Sequence, residues 1–134
     1  MAKISTVQYN LDYSTDGYEF FVTANIPQNG RQIGHAVSYL KGINTENDTA
    51  TICFPGEENF VWVEPEFRNH GIGTAMIRYT GNIIKDTYPG SVTRTLAFAV
   101  TSEQSLPYYK KVFGAQVLLN TGVNGQLRQI KFEI

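Results

Sequence analysis

Three groups of residues have the types and spacing to do chemistry. They are a glycine-bearing turn, Arg68-Asn69-His70-Gly71-Ile72-Gly73-Thr74, the adjacent tyrosines Tyr108 and Tyr109, and the glutamates Glu57 and Glu58. The turn follows an apolar run, Phe60-Val61-Trp62-Val63, and precedes a pattern of helical period that reaches about Asp86. A strand that turns into a helix in this way aims several backbone N–H groups and the positive end of the helix dipole at one spot, for which a phosphate is the natural guest. On spacing alone the motif is weak, since glycines before a helix often serve only close packing on a strand. A dinucleotide-binding turn is disfavoured because it needs G-x-G-x-x-G near the start of a doubly wound sheet. A nucleotide P-loop is disfavoured because no Gly-Lys-Ser/Thr occurs. The tyrosines offer a phenol that stays protonated at neutral pH and can donate, or they simply pack a helix on a sheet. The glutamates could accept a proton, although after Pro55-Gly56 they also suit a solvated turn. His35, mid-strand, reads as structural, and Cys53, in the apolar run Thr51 to Phe54, as a small buried hydrophobe.

The elements that must position these groups change period half-way along the chain. Val7, Tyr9, Leu11 and Tyr13 alternate with polar residues, Asp16-Gly17 marks a turn, and Tyr18 to Ile26 alternate again. Asn29-Gly30 is a hairpin signal that leads into a third strand ending near Lys41-Gly42. Thr49 to Phe54 and Asn59 to Glu64 are two short strands, or one strand preceded by an extension. Ile72, Met76, Tyr79 and Ile83 then recur at helical spacing, and the helix must stop near Tyr88-Pro89-Gly90. Leu96 to Val100 is a continuous apolar run of the kind found in strands covered on both faces. Strand 60–64, helix 72–86 and strand 94–100 then make a βαβ unit with parallel pairing. A short helix over roughly 103–112 follows, with Pro107 in its first turn. A hairpin around Asn124-Gly125 closes the chain, with Ile130, Phe132 and Ile134 on one face.

Composition sets the outer limits. A chain of 134 residues with net charge −1 and a pI near 6.1 is read as one domain with a real core and no nucleic-acid partner. No apolar run approaches the roughly 20 residues of a membrane span, so no membrane partner is expected. The N-terminal residues lack an apolar signal region, and Cys53 is the lone cysteine, so the expected location is the reducing cytoplasm.

The wider segment Val63-Glu64-Pro65-Glu66-Phe67-Arg68-Asn69-His70-Gly71-Ile72-Gly73-Thr74-Ala75-Met76-Ile77 closely resembles the acetyl-CoA motif of the GNAT superfamily (Gcn-related N-acetyltransferases), V-x-P-x-(Y/F)-(R/Q)-x-x-G-(I/L)-G-x-x-L. The order of elements from about residue 18 to the C-terminus matches as well. The resemblance implies a GNAT-like α+β (mixed α/β) fold in a single domain, 1–134. Its central sheet would be mixed, mostly antiparallel and twisted, of about six to seven strands, with a βαβ acetyl-CoA unit and two main helices. It implies acetyl-CoA as co-substrate, no metal, and transfer of the acetyl group to a primary amine by direct attack.

The same resemblance assigns roles to residues. Amides of Arg68, Asn69, His70, Gly71, Ile72, Gly73 and Thr74 would cradle the pyrophosphate, with Gly71 and Gly73 removing Cβ atoms where phosphate and backbone approach. Strand 60–64 would splay from strand 95–100, and pantetheine would pair with strand amides near Trp62, Val63 and Glu64. Aligned on the family's second segment, Ser102 takes its Asn position and Tyr109 the position of the tyrosine that protonates the departing thiolate. Tyr108 could take that role if the helix rotates. Glu57, eleven residues before Arg68, matches one usual position of the general base, with Glu64 a weaker candidate. Only Ser14 to Gly17 separates the first two strands, so the two helices that usually wall the acceptor site have no room. The acceptor, a protein or peptide amine or a small amine, would meet an open site or one completed by a homodimer. Tyr9, Tyr13, Tyr18, Phe20 and Phe21 are read as the exposed aromatics of such a contact. The competing reading is an inactive acyl-CoA-binding module that acts as a sensor or a protein-interaction domain.

Overall fold

A computed structural model describes residues 6–13, 18–55, 60–88, 90 and 92–134. The elements run β1 (Gln8–Tyr13), β2 (Glu19–Asn25), β3 (Gln32–Asn44), β4 (Thr49–Cys53), β5 (Val61–Val63), α1 (Ile72–Thr87), β6 (Arg94–Ser102), α2 (Leu106–Phe113), β7 (Gln116–Thr121) and β8 (Leu127–Glu133). They build one eight-stranded mixed sheet in the order β1-β2-β3-β4-β6-β8-β7, with β5 hydrogen-bonded to β3 off this path. Among the described residues only β4 and β6 pair in parallel. The α+β architecture expected from the sequence is present, and α1 fills the expected range with one more residue at its end. Pro107 is accommodated in the first turn of α2, where its missing N–H costs nothing.

Two expectations about the sheet need correction. The parallel partner of β6 is β4, with Thr49 opposite Arg94 and Cys53 opposite Phe98, whereas among the described residues β5 joins only β3. The apolar residues from Thr49 to Val63 therefore make two short strands. The first pairs with β6, and the second has left it. Second, the run Leu96 to Val100 is not covered on both faces. Thr95, Ala97, Ala99 and Thr101 are buried while Leu96, Phe98 and Val100 are half-buried. Ala97 and Ala99 share a core with Ile77 and Ile84 of α1, Tyr109 of α2, and Phe132 of β8. Both helices thus lie on one face of the sheet, and the alternation of exposure in β6 records which face that is. On the other face, Phe21 stacks on His35 (ring centroids 5.7 Å apart) and His35 on Trp62 (5.9 Å).

Local details follow the same logic. Phe20 is not an exposed aromatic: it is 1% exposed and sits in the main core, because its register opposite Ser38 puts it on the helical face. Tyr18 is exposed as expected. The side chain of Tyr13 and the turn at Asp16-Gly17 lie outside the described residues. Cys53 is half-buried, because it alternates onto the face without helices. The Asn29-Gly30 hairpin forms, with Gly30 at φ 71° and Asn29 Oδ1 accepting from the Arg31 N–H. No helix among the described residues is long and apolar enough to cross a membrane.

Candidate active site

The departure of β5 from β6 opens the site. In β5 and its flanks, the Glu64 N–H donates to Ile33 O and Phe60 O accepts from the Val37 N–H, so residues 60, 62 and 64 face β3. Strand alternation turns the amides of Val61 and Val63 the other way, into the gap left by β6. The amides of Trp62 and Glu64 are therefore committed to the sheet, and of the strand residues expected to serve a ligand only Val63 presents its N–H to the gap. Val63 O accepts from Arg68 Nε at 2.7 Å, which folds the Arg68 side chain back over the strand end.

The turn that follows is shaped for an anion. Asn69 (φ 67°) and Gly71 (φ 77°) both adopt left-handed backbone, which curls the chain tightly into the start of α1, where helix amides converge. Gly71 is the N-cap of α1 and has no side-chain cap. The first intrahelical bond runs from the Ala75 N–H to Gly71 O, so the amides of Ile72, Gly73 and Thr74 are free of intrahelical partners. The two glycines serve different ends. A Cβ at Gly71 would meet nothing within 4 Å, so what position 71 demands is its positive φ. A Cβ on Gly73 would meet Val61 and Val63 side chains at 3.7 and 3.9 Å, which is ordinary van der Waals packing of α1 on β5.

These elements enclose a cleft of about 580 Å³ between β5, the start of α1 and α2. Of the residues that the motif assigns to coenzyme A, Trp62, Val63, Arg68, Asn69, Gly71, Ile72, Gly73, Thr74 and Tyr109 line this cleft. Val61, Phe67, Ile77, Ser105 and Tyr108 line it too; Phe67 holds the (Y/F) position of the acetyl-CoA motif, and Ser105 and Tyr108 fall on the family's second segment. Glu64, His70 and Ser102 are not part of the lining. Ser102 Oγ instead accepts the Ser105 N–H at 3.3 Å, fixing the entry to α2. Glu57 lies outside the described residues. Among the described lining residues there is no carboxylate and no imidazole.

The two tyrosines differ in surroundings. The Tyr108 hydroxyl hydrogen-bonds that of Thr74, tying α2 to the first turn of α1. Burial pushes the Tyr108 phenol up, an effect opposed by the Thr74 bond and by the Arg78 charge. Tyr109 is 7% exposed, packs on Phe132 and Phe113, and meets Tyr108 edge-on at 4.9 Å. Its hydroxyl has no hydrogen-bond partner among the described residues, and burial, reinforced by Tyr108, pushes it far above the usual phenol value. Both rings reach the cleft, so no rotation of the helix is needed to present either.

A splayed strand, a converging amide turn and a tyrosine-bearing helix around one cleft match the acetyl-CoA unit that the motif implies. The profile of the acetyltransferase (GNAT) family matches residues 3–115. This chain belongs to the GNAT family. Solved structures with the same fold include the PaiA N-acetyltransferase of Thermoplasma acidophilum in complex with coenzyme A, with 14% identity and a TM-score of 0.59 over 89% of this chain and 63% of that one. A GNAT-family protein from Desulfovibrio desulfuricans gives 16% identity and a TM-score of 0.60, over 87% and 68% of the two chains. An acetyltransferase structure from Exiguobacterium sp. 255-15 gives 18% and 0.54, over 93% and 92%. The GNAT chain described here thus spans less than two-thirds of the Thermoplasma protein. No curated protein sequence matches it significantly. Family membership supports acyl transfer from a coenzyme A thioester as the general chemistry.

The role of Gly71 can be measured. Alanine at position 71 should cost about 1–2 kcal/mol, because an L-residue must enter the left-handed region. Thermal unfolding should show that loss, whereas Gly73→Ala, with room for its methyl, should be close to neutral in stability. Equal losses at the two positions would contradict the distinction drawn from their surroundings.

Proposed function

We propose that this GNAT protein transfers an acetyl group from acetyl-CoA to a primary amine by direct attack. The observation that carries the reading is the pairing of β5 with β3 alone, which leaves the Val61 and Val63 amides facing a cleft that ends at the Gly71–Thr74 amides. Pyrophosphate would lie on the turn and pantetheine along β5. The thioester oxygen would accept from a β5 amide, which stabilises the charge that develops as the carbonyl becomes tetrahedral. The amine nitrogen forms its bond to the carbonyl carbon, the C–S bond breaks, and the Tyr109 hydroxyl gives its proton to the departing thiolate. The amine proton goes to Glu57, directly or through water.

The acceptor is a protein or peptide amine or a small amine that approaches over the sheet face without helices, where Phe21, His35 and Trp62 stack. A homodimer is proposed to close that side, and Val117, Leu118, Leu119 and Val123 supply further exposed apolar surface for subunit contact. The cytoplasm is the proposed location. A second reading, an acyl-CoA-binding module without turnover, is favoured by the absence of a carboxylate or imidazole from the described cleft lining. Calorimetry with acetyl-CoA, run beside a thiol-release assay on a panel of amines and peptides, separates the two. Binding with turnover supports the enzyme, binding without turnover on any acceptor supports the module, and no binding overturns both.

A further inference from the structure

A residue that no motif marks stands behind the anion-binding turn. Arg31 lies in the turn of the β2–β3 hairpin, directly before β3, and its backbone is held by the Asn29 side chain and by the bond from the Ile26 N–H to Arg31 O. Its Nη2 lies 2.5 Å from Glu64 Oε2 and 2.9 Å from Glu66 Oε1. Its guanidinium also covers the ring of Phe67, with Cζ 5.6 Å from the centroid. Phe67 is buried and lines the cleft, so Arg31 sits on the outer side of the cleft wall.

Glu64 and Glu66 flank Pro65 immediately before the turn that is to hold a diphosphate. Two carboxylates on that segment oppose an anion within about one Debye length, roughly 8 Å at physiological salt. Counted locally, Arg31 and Arg68 balance Glu64 and Glu66 to a net charge of zero, and removing Arg31 leaves −1. The Arg31 side chain is 47% exposed, and an ion pair this open contributes little to folding stability. Its consequence lies instead in the field at the turn.

We propose that Arg31 is a positioning residue for the coenzyme A diphosphate: by neutralising Glu64 and Glu66 it keeps the turn receptive to an anion that it does not itself touch. The inference rests on the acetyl-CoA reading above. Removing one compensating charge near an exposed anion site should weaken binding about tenfold at low salt.

The test is calorimetric titration of coenzyme A into the wild-type protein, R31A, R31K and the triple variant R31A/E64Q/E66Q, at low and high salt. R31A should bind about tenfold more weakly at low salt, and the deficit should shrink at high salt, where screening replaces Arg31. R31K should recover most of the affinity because it restores the charge. The triple variant leaves Arg68 uncompensated at a local net charge of +1, so it should bind at least as tightly as wild type. If the triple variant stays as weak as R31A, Arg31 serves only to fasten the hairpin to the turn, and the charge role is overturned. Unchanged affinity in R31A overturns it as well. A wild-type protein that binds no coenzyme A overturns the acetyl-CoA reading itself, and this inference with it.

Discussion

Phenylalanine at position 109 should lower turnover by about a hundredfold or more while leaving the affinity for acetyl-CoA within about twofold, as expected for loss of a general acid. The Tyr109 ring is held between Phe132, Phe113 and Tyr108, so removing one hydroxyl leaves the packing intact. Tyr108→Phe should cost less than about tenfold in turnover, because that hydroxyl already bonds Thr74. Initial rates and calorimetric affinities for both variants settle the order. If Tyr108→Phe is the more damaging, the acid is Tyr108, and an unchanged rate in Tyr109→Phe removes Tyr109 from the mechanism.

The raised Tyr109 phenol has a pH consequence with a definite sign. Burial disfavours the phenolate, so the folded protein holds this proton more tightly than the unfolded chain, whose tyrosine titrates near 10. The associated stability is fully present below about pH 10 and is lost as the pH rises beyond it. Wild type should therefore lose melting temperature more steeply than Tyr109→Phe above pH 10. The alkaline limb of the rate profile should show no loss from Tyr109 ionisation below that pH. Parallel melting curves for the two proteins from pH 9 to 11 would contradict this account.

The second large effect is structural. Alanine at Gly34 should destabilise the fold by about 1–3 kcal/mol, which corresponds to roughly 5–15 °C in melting temperature, and should also weaken acetyl-CoA binding. Gly34 pairs with Val63, and a Cβ there would lie 2.8 Å from the carbonyl oxygen of Trp62 and 3.2 Å from Met76 Cε. Met76 can move, but Trp62 O is backbone, so β5 must shift, and with it the Val61 and Val63 amides that face the cleft. Gly42→Ala is the control. A Cβ at Gly42 would meet nothing within 4 Å, and its melting temperature should stay close to wild type. Equal behaviour of the two variants would show that β3 and β5 are not packed as described.

Much of the architecture was legible in the chain because it is encoded locally. Alternation from Val7 to Ile26, the Asn29-Gly30 hairpin and helical spacing from Ile72 to Ile84 each act over a few residues. The motif from Val63 to Ile77 was legible for the same reason. A turn that must adopt positive φ at Gly71 and expose amides at a helix start leaves a compact record in residue types. Pairing between distant strands leaves no such record. The apolar run Leu96 to Val100 reads as a strand buried on both faces, and only the placement of α1 and α2 on one side shows that Leu96, Phe98 and Val100 are half-open. Phe20 and Phe21 are neighbours of similar character, and register alone sends the first into the core and the second to the stack with His35.

The sequence by itself therefore determined the family, the order of elements and the strand–turn–helix segment proposed to hold coenzyme A, because those depend on contiguous residues. The tertiary structure alone decided that β4, not β5, pairs with β6. That choice directs the amides of Val61 and Val63 rather than those of Trp62 and Glu64 into the cleft. It also brought Arg31 to Glu64 and Glu66 across more than thirty residues of chain, through the β3–β5 pairing. Charges so far apart in sequence have no spacing rule to reveal them; they meet only because backbone hydrogen bonds fix the register of two strands.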